Sequence, residues 1–328
     1  MSEQLRTVAR TMVGGGRGIL AADESITTMN KRLDKVGVEQ TPENRVAYRE
    51  MLITTPGLSQ WISGVILSDD VFRSRLSDGR PFPQACRDVG IMPGIKVDTG
   101  AKPLANAAGE TVTEGLDNLR ARFQEYAAAG GTFSKWRAVI DIGEGLPTPR
   151  AISANAHAMA RYAALAQEAG IVPIVEPEVL MDGEHSIERC AEVTEVTHHM
   201  FFSALIEQGI LLEGIVLKPN MVVSGVGAPR QAGVEEVAHA TVSVLKRTVP
   251  AAVPGVAFLS GGQADDVATA HLSAMNRLGP LPWELSFSFG RALVNAALDA
   301  WRGLAAQAPA GQEALAARAS ANAMARAA

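Results

Sequence analysis

Eight short apolar runs, each followed by a longer helical pattern, constrain the fold of this chain more than any other feature. Gly, Pro or charged residues bound the runs, and runs of this length are typical of buried strands. They lie at 18–22, 62–67, 93–97, 133–139, 171–175, 214–217, 255–259 and 284–288. Because eight strands alternate with helices, the sequence predicts a single-domain (β/α)8 barrel over residues 1–328.

Amphipathic segments fill the intervals between the runs, at 113–129, 151–169, 186–208 and 234–248. Gly170 and Gly209 follow two of these segments, as glycines often do at helix ends. A doubly wound sheet is the alternative fold, but the glycines at 14–16 precede the first run, so they predict a turn and not a dinucleotide loop. The stretch 303–328 is mostly Ala with scattered Gln and Arg, which predicts a helical C-terminal tail.

Composition excludes several classes of partner. A formal net charge of -5 and a sequence pI of about 5.8 give no electrostatic support for binding nucleic acid or a membrane surface. The chain has only two cysteines, Cys86 and Cys190, so the sequence gives no support for a disulfide framework and favours a reducing compartment. Residues 1–6 lack the apolar stretch of a signal peptide, and no run is long enough to span a bilayer. We therefore predict a cytoplasmic protein.

Charged side chains mark the ends of the runs, where a barrel would bring them together. They are Asp23, Lys96, Lys135, Arg137, Glu176, Glu178 and Lys218. Alternate strand residues share a face, so Lys135 and Arg137 point the same way, as do Glu176 and Glu178. Any one of them alone is more often an ordinary salt-bridge partner, but charge at several C-terminal strand ends of a barrel is typical of a catalytic site. With Arg291 added, cations exceed carboxylates, which predicts a ligand that carries phosphate.

Lys218 has the surroundings of a nucleophile. Apolar residues at 215–217 precede it and Pro219 follows, so desolvation and a nearby cation such as Lys135 would favour its neutral amine. Imine chemistry also needs an acid/base, and we expect Glu176, among apolar neighbours, to hold a proton near neutral pH. Asp23, from the far side of the barrel, is the candidate base toward a substrate hydroxyl.

Two glycine-containing loops follow the last two runs, at 260–263 and 288–291. Loops after the seventh and eighth strands of a barrel commonly bind phosphate through backbone N–H groups, hydroxyls and a helix N-terminus. Arg291 adds a forked cation that suits such an anion. Either loop alone could be an ordinary tight turn, whereas both in the two expected places predict a phosphate site.

Metal and thiol chemistry have little support in the sequence. The six histidines lie mostly in helical segments, and the adjacent His198 and His199 point to different sides of a helix. We interpret all six as surface or core residues, and neither cysteine lies beside a candidate base. We predict that the protein uses no metal and no cofactor.

The motifs together resemble the class I fructose-1,6-bisphosphate aldolases, from about residue 5 to 328. The segments that carry this resemblance are 18–25, 94–98, 135–137, 171–178, 217–221, 259–263 and 288–292. The family implies a (β/α)8 barrel, usually a homotetramer. It also implies reversible cleavage of fructose 1,6-bisphosphate to dihydroxyacetone phosphate and glyceraldehyde 3-phosphate, in glycolysis and gluconeogenesis.

The resemblance also implies roles for single residues. Lys218 would form the Schiff base, Glu176 would dehydrate the carbinolamine, and Asp23 would act on the C4 hydroxyl. Lys135 would support charge near the reacting carbons, and Glu178 would tune the neighbouring cations. The residues implied at one phosphate are Ser260, Gly261, Ser288, Gly290 and Arg291. Those implied at the other are Ser25, Thr28, Arg32, Lys96 and Arg137, with Thr28 where the family more often has serine.

Animal and plant members of the family end in a tyrosine that helps proton transfer, whereas this sequence has no tyrosine after Tyr162. Residues 321–328 offer only Asn322 and Arg326 as polar side chains, so we expect water, Glu176 or another barrel group to protonate the enamine. Two alternatives remain open. One is a Schiff-base aldolase for another phosphosugar, and the other is an inactive scaffold, against which the joint presence of Lys218, Glu176 and Asp23 argues.

Overall fold

A closed barrel of eight parallel strands forms the centre of the molecule, in a computed structural model that describes residues 1–327. The barrel strands are β1 (Gly18–Ala22), β2 (Ile62–Leu67), β3 (Met92–Lys96), β6 (Phe133–Ile140), β7 (Val172–Val179), β8 (Val216–Leu217), β9 (Gly255–Phe258) and β10 (Glu284–Phe289). They close in the order β1-β10-β9-β8-β7-β6-β3-β2. Each predicted run coincides with or overlaps one of these strands, so the predicted (β/α)8 barrel is confirmed.

Helices surround the barrel and connect its strands. In the described part of the chain they are α1 (Ser2–Val13), α2 (Ile26–Lys35), α3 (Pro42–Ile53), α4 (Asp69–Phe72), α5 (Phe82–Asp88), α6 (Leu119–Ala128), α7 (Pro149–Glu168), α8 (Ile187–Glu207), α9 (Val234–Thr248), α10 (Asp265–Asn276), α11 (Arg291–Trp301) and α12 (Ala308–Ala325). Short 3-10 helices lie at Leu58–Gln60, Leu212–Gly214 and Ala305–Gln307. The predicted helices at 151–169, 186–208 and 234–248 correspond to α7, α8 and α9. Gly170 and Gly209, with φ values of 74° and 69°, follow the ends of α7 and α8 in the left-handed region.

The prediction of one helix over 113–129 is wrong in its first part. An antiparallel hairpin of β4 (Gly100–Pro103) and β5 (Thr111–Glu114) occupies this region, and α6 begins only at Leu119. The Thr113 N–H donates to Asn155 Oδ1 (3.1 Å) on α7, which ties the hairpin to the helix layer. Four-residue strands that are partly exposed give too short an alternation of apolar and polar residues to be recognised in a sequence.

Apolar side chains fill the N-terminal half of the barrel. Those that line the interior are Ile19, Ala21, Ile66, Phe133, Val172, Ile174, Val216 and Ala257. Helix α1 packs its buried face, which includes Leu5 and Met12, against the same cluster and closes this end. A Cβ atom on Gly94 would overlap the ring of Phe133, so glycine there makes room for the largest interior side chain. Any functional cavity must therefore open at the C-terminal end.

The C-terminal segment is helical, as its composition predicts. Helix α12 packs against α11, α10 and α3, with Leu315 and Ala319 fully buried. The Arg326 guanidinium donates to the carbonyls of Val13 (2.6 Å) and Leu285 (2.8 Å), at the N-terminal end of the barrel. Of the predicted tail, Ala328 lies outside the described residues. Within residues 1–327, no helix has both the length and the apolar character needed to cross a bilayer.

Candidate active site

A cavity of about 410 Å³ opens at the C-terminal end of the barrel. Every site residue predicted from the sequence lines it: Asp23, Ser25, Thr28, Arg32, Lys96, Lys135, Arg137, Glu176, Glu178, Lys218, Ser260, Gly261, Ser288, Gly290 and Arg291. The strands bring these residues together because parallel strands end at one rim of the barrel. Sequence reasoning missed other lining residues, among them Glu24, Asp98 and Ala101.

Four charged side chains form a continuous chain of ion pairs across the floor of the cavity. Asp23 Oδ2 lies 2.7 Å from Lys135 Nζ, and Lys135 Nζ lies 3.2 Å from Glu176 Oε2. The other Glu176 oxygen, Oε1, lies 3.2 Å from Lys218 Nζ. The side chains of Lys135, Glu176 and Lys218 are each no more than 5% exposed. Water is therefore largely excluded from the charges, which strengthens their mutual interaction.

Strand geometry explains this arrangement. Lys135 follows the interior residue Phe133 by two positions on β6, so it faces the same interior one layer higher. Glu176 stands in the same relation to Ile174 on β7. Lys218 comes directly after β8, where its N–H donates to the Val175 carbonyl (2.8 Å). Because side chains alternate between the two faces of a strand, three neighbouring strands thus place an ammonium, a carboxylate and a second ammonium side by side.

Neighbouring charges outweigh burial in setting the pKa values of the two carboxyls. Burial alone would raise the pKa of Asp23, but the Lys135 and Lys218 ammonium groups lower it to about 2. Burial would also raise the pKa of Glu176, and Lys135, Lys218 and Arg137 lower it below its ordinary value. Burial disfavours the ammonium of Lys135, yet Asp23 and Glu176 raise its pKa overall.

The expectation that Glu176 holds a proton near neutral pH is therefore wrong. Its chain neighbours are apolar, as the sequence indicates, but strand pairing places two ammonium groups against its oxygens. These contacts favour the carboxylate. Glu176 is thus ionised, with Oε1 3.2 Å from Lys218 Nζ, and must take up a proton before it can donate one.

A second layer of ion pairs lies above this chain. Lys96 Nζ contacts Asp98 Oδ1 at 2.6 Å and also donates to the Asp98 carbonyl (3.0 Å). Arg137 Nε pairs with Glu178 Oε2. Each cation keeps part of its side chain exposed to the cavity, 21% for Lys96 and 39% for Arg137. Both can therefore contact an anionic ligand while they remain held by a carboxylate.

One wall of the cavity has the features of a phosphate site. Ser260 and Ser288 are buried, and Ser288 Oγ has no hydrogen-bond partner within residues 1–327. Gly290 is the N-cap of α11, so the positive end of that helix faces the cavity. Gly261 adopts a positive φ of 62°, which glycine allows without strain. Arg291, exposed at the rim, adds a full positive charge.

The start of α2 lies next to this wall, because β1 pairs with β10. The Ser25 hydroxyl accepts from the Thr28 N–H (3.2 Å) and donates to Thr28 Oγ1 (3.0 Å). Arg32, one turn further along α2, pairs with Glu24 and donates to Asn295 Oδ1 (3.1 Å) on α11. Hydroxyls and cations therefore line the cavity after β9, β10 and β1, and the cations Lys96 and Arg137 lie across the barrel from β9 and β10.

Histidines and cysteines are absent from the residues that line this cavity. His198 Nδ1 lies 3.1 Å from Thr248 Oγ1, and His271 Nδ1 lies 2.6 Å from Gln263 Oε1. Both cysteines are free and buried, and burial raises the pKa of the Cys86 thiol to about 12. In the described part of the chain, no three His, Cys, Asp or Glu side chains are arranged to hold a metal ion.

The fold and the cavity define a class of (β/α)8 barrel proteins that hold a buried lysine against a carboxylate at the C-terminal strand ends. Within that class, the model of the family described as fructose-bisphosphate aldolase class-I matches residues 4–328. The chain therefore belongs to the class I fructose-bisphosphate aldolase family, and the resemblance found in the sequence is confirmed.

Similar proteins agree with this assignment. The probable fructose-bisphosphate aldolase class 1 of Xanthomonas campestris pv. campestris is 60% identical over 299 residues, 91% of this chain and 90% of the relative. Fructose-bisphosphate aldolase 5, cytosolic, of Arabidopsis thaliana is 50% identical over 92% of this chain and 84% of its own. A solved structure of fructose-bisphosphate aldolase from Plasmodium falciparum, in complex with TRAP and a small molecule inhibitor, superposes with a TM-score of 0.98. It is 45% identical and covers 99% of this chain and 94% of its own.

Proposed function

We propose that the protein cleaves fructose 1,6-bisphosphate reversibly to dihydroxyacetone phosphate and glyceraldehyde 3-phosphate through a Schiff base on Lys218. The observation that carries this proposal is the buried contact of Lys218 Nζ with Glu176 Oε1 at 3.2 Å, between two cationic walls. A bisphosphorylated ketose places its carbonyl between two phosphates. Such a substrate matches a cavity with a buried amine at the middle and anion-binding groups at both ends.

Schiff-base formation begins with proton transfer from the Lys218 ammonium to the Glu176 carboxylate. The neutral amine then attacks C2 of the ketose, and the C2 oxygen takes up the proton released by nitrogen to give a carbinolamine. Protonated Glu176 next donates its proton to the departing hydroxyl, which leaves as water. The products are a protonated imine and the Glu176 carboxylate, so the net charge of the site is unchanged.

Carbon–carbon cleavage requires a base for the C4 hydroxyl. Asp23, whose pKa of about 2 keeps it ionised, accepts that proton while the C3–C4 electron pair moves into the imine. Glyceraldehyde 3-phosphate leaves with its new aldehyde, and an enamine remains on Lys218. Lys135 holds Asp23 at 2.7 Å and stabilises the charge that shifts between the carboxylates. Protonation of the enamine at C3, and hydrolysis by the reverse of the first steps, releases dihydroxyacetone phosphate.

The two walls set the direction in which the substrate lies. The Leu259 N–H donates to the Pro219 carbonyl (3.1 Å), so the loop that contains Ser260 lies beside Lys218. In the ketose, C1 is bonded to the imine carbon C2. We therefore place the C1 phosphate at the Ser260 and Arg291 wall. The C6 phosphate is placed near Thr28, Arg32 and Lys96.

We propose further that the chain acts as one barrel domain with its C-terminal tail, in a cytoplasmic homotetramer of glycolysis and gluconeogenesis. Two free, buried thiols suit a reducing compartment, and one similar aldolase is named cytosolic. The tetramer and the pathway follow from the family resemblance alone.

A trapping experiment tests the proposed chemistry. Incubation with dihydroxyacetone phosphate and borohydride should inactivate the enzyme and add the reduced sugar mass to the peptide that contains Lys218. An assay coupled to triose-phosphate reduction should detect both products from fructose 1,6-bisphosphate. Lys218→Met should abolish both the adduct and cleavage. An adduct on Lys96 or Lys135 would overturn the assignment of the nucleophile, and a different product pair would indicate another phosphosugar.

A further inference from the structure

Arg49 on α3 is a buried charge that the proposed mechanism does not use. Its side chain is 1% exposed, and it does not line the cavity. Burying a guanidinium is costly unless it is paired and hydrogen-bonded. The partners of Arg49 therefore indicate why a cation is retained at this position.

Those partners lie at the edge of the cavity. Arg49 Nη2 pairs with Glu24 Oε2 at 2.9 Å, and Arg49 Nε donates to the Ala22 carbonyl (3.3 Å) at the end of β1. The other Glu24 oxygen, Oε1, pairs with Arg32 Nη1. Glu24 thus stands between one cation that is fully buried and one, Arg32, that lines the cavity.

The charges in this group do not balance. Two guanidinium groups share one carboxylate, and within residues 1–327 Glu24 is the only acid within ion-pair distance of Arg49 or Arg32. Arg49 has no contact with solvent, so its charge must be compensated by Glu24. The surplus positive charge of the group therefore resides on Arg32, at the wall where we place the C6 phosphate.

We propose that Arg49 is a positioning residue for recognition of the C6 phosphate, acting through Glu24 on Arg32. The inference rests on the proposed function, because it concerns the second phosphate of that substrate. With Arg49 in place, Glu24 orients Arg32 without cancelling its charge. Without Arg49, the Glu24 carboxylate would neutralise Arg32 and repel an incoming phosphate dianion.

The test compares two substrates that differ only at C6, fructose 1,6-bisphosphate and fructose 1-phosphate. Arg49→Met should lower kcat/KM for the bisphosphate by about tenfold, mainly through KM, since one charge-assisted phosphate contact is weakened. The monophosphate should be cleaved at the wild-type rate. In the double variant Glu24→Gln, Arg49→Met, the carboxylate is also gone, so Arg32 is no longer neutralised and use of the bisphosphate should recover. Arg49→Lys keeps the charge and should keep the wild-type ratio of the two substrates.

Three results would overturn the proposal. Equal losses on both substrates would mean that Arg49 only supports the end of β1, next to Asp23. If the double variant does not regain use of the bisphosphate, Arg49 does not act through Glu24. If Arg49→Met does not fold, Arg49→Lys provides the test, because this variant keeps the positive charge. A fall of about tenfold in its preference for the bisphosphate would then show that the charge of Arg49 is not what matters. The rates of the wild-type enzyme on both substrates test the proposed function separately. If the wild type cleaves neither substrate, the proposed function is wrong, whatever the result for the Arg49 variants.

Discussion

Asp23 and Glu176 both contact the ammonium of Lys135, at 2.7 Å and 3.2 Å, yet only Glu176 also contacts Lys218. This difference in contacts separates their proposed roles. Glu176 can exchange a proton with the nitrogen that forms the imine. Asp23 joins the same network through Lys135, at the end of the chain of ion pairs that is farther from Lys218.

Two isosteric variants should therefore fail at different steps. Asp23→Asn should form the borohydride-trappable adduct with dihydroxyacetone phosphate at nearly the wild-type rate but cleave the bisphosphate roughly 10²–10⁴-fold more slowly, because a general base is lost. Glu176→Gln should slow formation of the adduct itself. Rapid-quench trapping and the coupled cleavage assay measure the two steps separately. If both variants form the adduct as fast as the wild type, Glu176 does not catalyse imine formation.

At the scale of single residues, the sequence indicates which side chains share the cavity but not how they are charged. Lys135, Glu176 and Lys218 could be placed at one rim because strand ends in a barrel meet there. The ionised state of Glu176 depends on neighbours across the strands, which its chain neighbours do not reveal. The link from Arg49 to Glu24 spans 25 positions and joins a helix to a strand end, and no local pattern indicates it.

Among the elements, α11 combines a helix N-terminus with a cation at the same end. Gly290 caps the helix and Arg291 is its first residue, so the positive end of the helix dipole and the side-chain charge lie at the same place. A Cβ atom on Gly262 would lie 3.1 Å from an Arg291 nitrogen, which places the guanidinium over the loop after β9. The proposed phosphate site is thus built from two successive loops of the barrel.

Arg291→Ala should weaken use of fructose 1,6-bisphosphate by about ten- to a hundredfold, as expected for loss of a charge-assisted pair worth roughly 1.5–3 kcal/mol. A phosphate-free aldol substrate should be affected little, because the helix and the buried lysines stay in place. Arg302→Asn removes a charge at the other end of α11, where Asn tolerates the φ of 48°, and serves as the control. Steady-state kinetics on both substrates measures the difference. Similar losses on the two substrates would show that Arg291 maintains structure instead of binding phosphate.

Elements differ in how strongly the sequence specifies them. The runs at 18–22 and 62–67 predict β1 and β2 with the observed bounds, because continuous apolar stretches must be buried on both faces of a barrel strand. The hairpin of β4 and β5 carries no comparable signal. Contacts distant in the sequence stabilise it, such as the hydrogen bond from Thr113 to Asn155, so a local pattern cannot predict it.

The whole molecule is divided into two functional ends. Apolar residues and α1 close the N-terminal end of the barrel, and the charged cavity occupies the C-terminal end. Two residues late in the chain attach α12 to the rest of the molecule. Asn322 is buried and accepts from the Thr269 hydroxyl (2.9 Å), and Arg326 bonds the carbonyls of Val13 and Leu285. Neither lines the cavity.

Arg326 should therefore matter for stability and not for chemistry. Its side chain is 3% exposed, pairs with Glu284 at 2.8 Å, and joins the end of α12 to α1 and β10. Arg326→Met would leave buried carbonyl groups without donors, at a cost of roughly 1–3 kcal/mol each and about 2 kcal/mol or more in total. We expect Tm to fall by roughly 3 °C or more, with kcat and KM unchanged below the transition. Removal of residues 321–328 should act in the same direction and more strongly, because the buried Asn322 is lost as well.

Arg302→Asn, on the exposed surface, provides a matched loss of charge that should leave Tm nearly unchanged. A variant at Arg326 with wild-type Tm and greatly reduced kcat would show that the tail takes part in catalysis, contrary to its position at the closed end of the barrel.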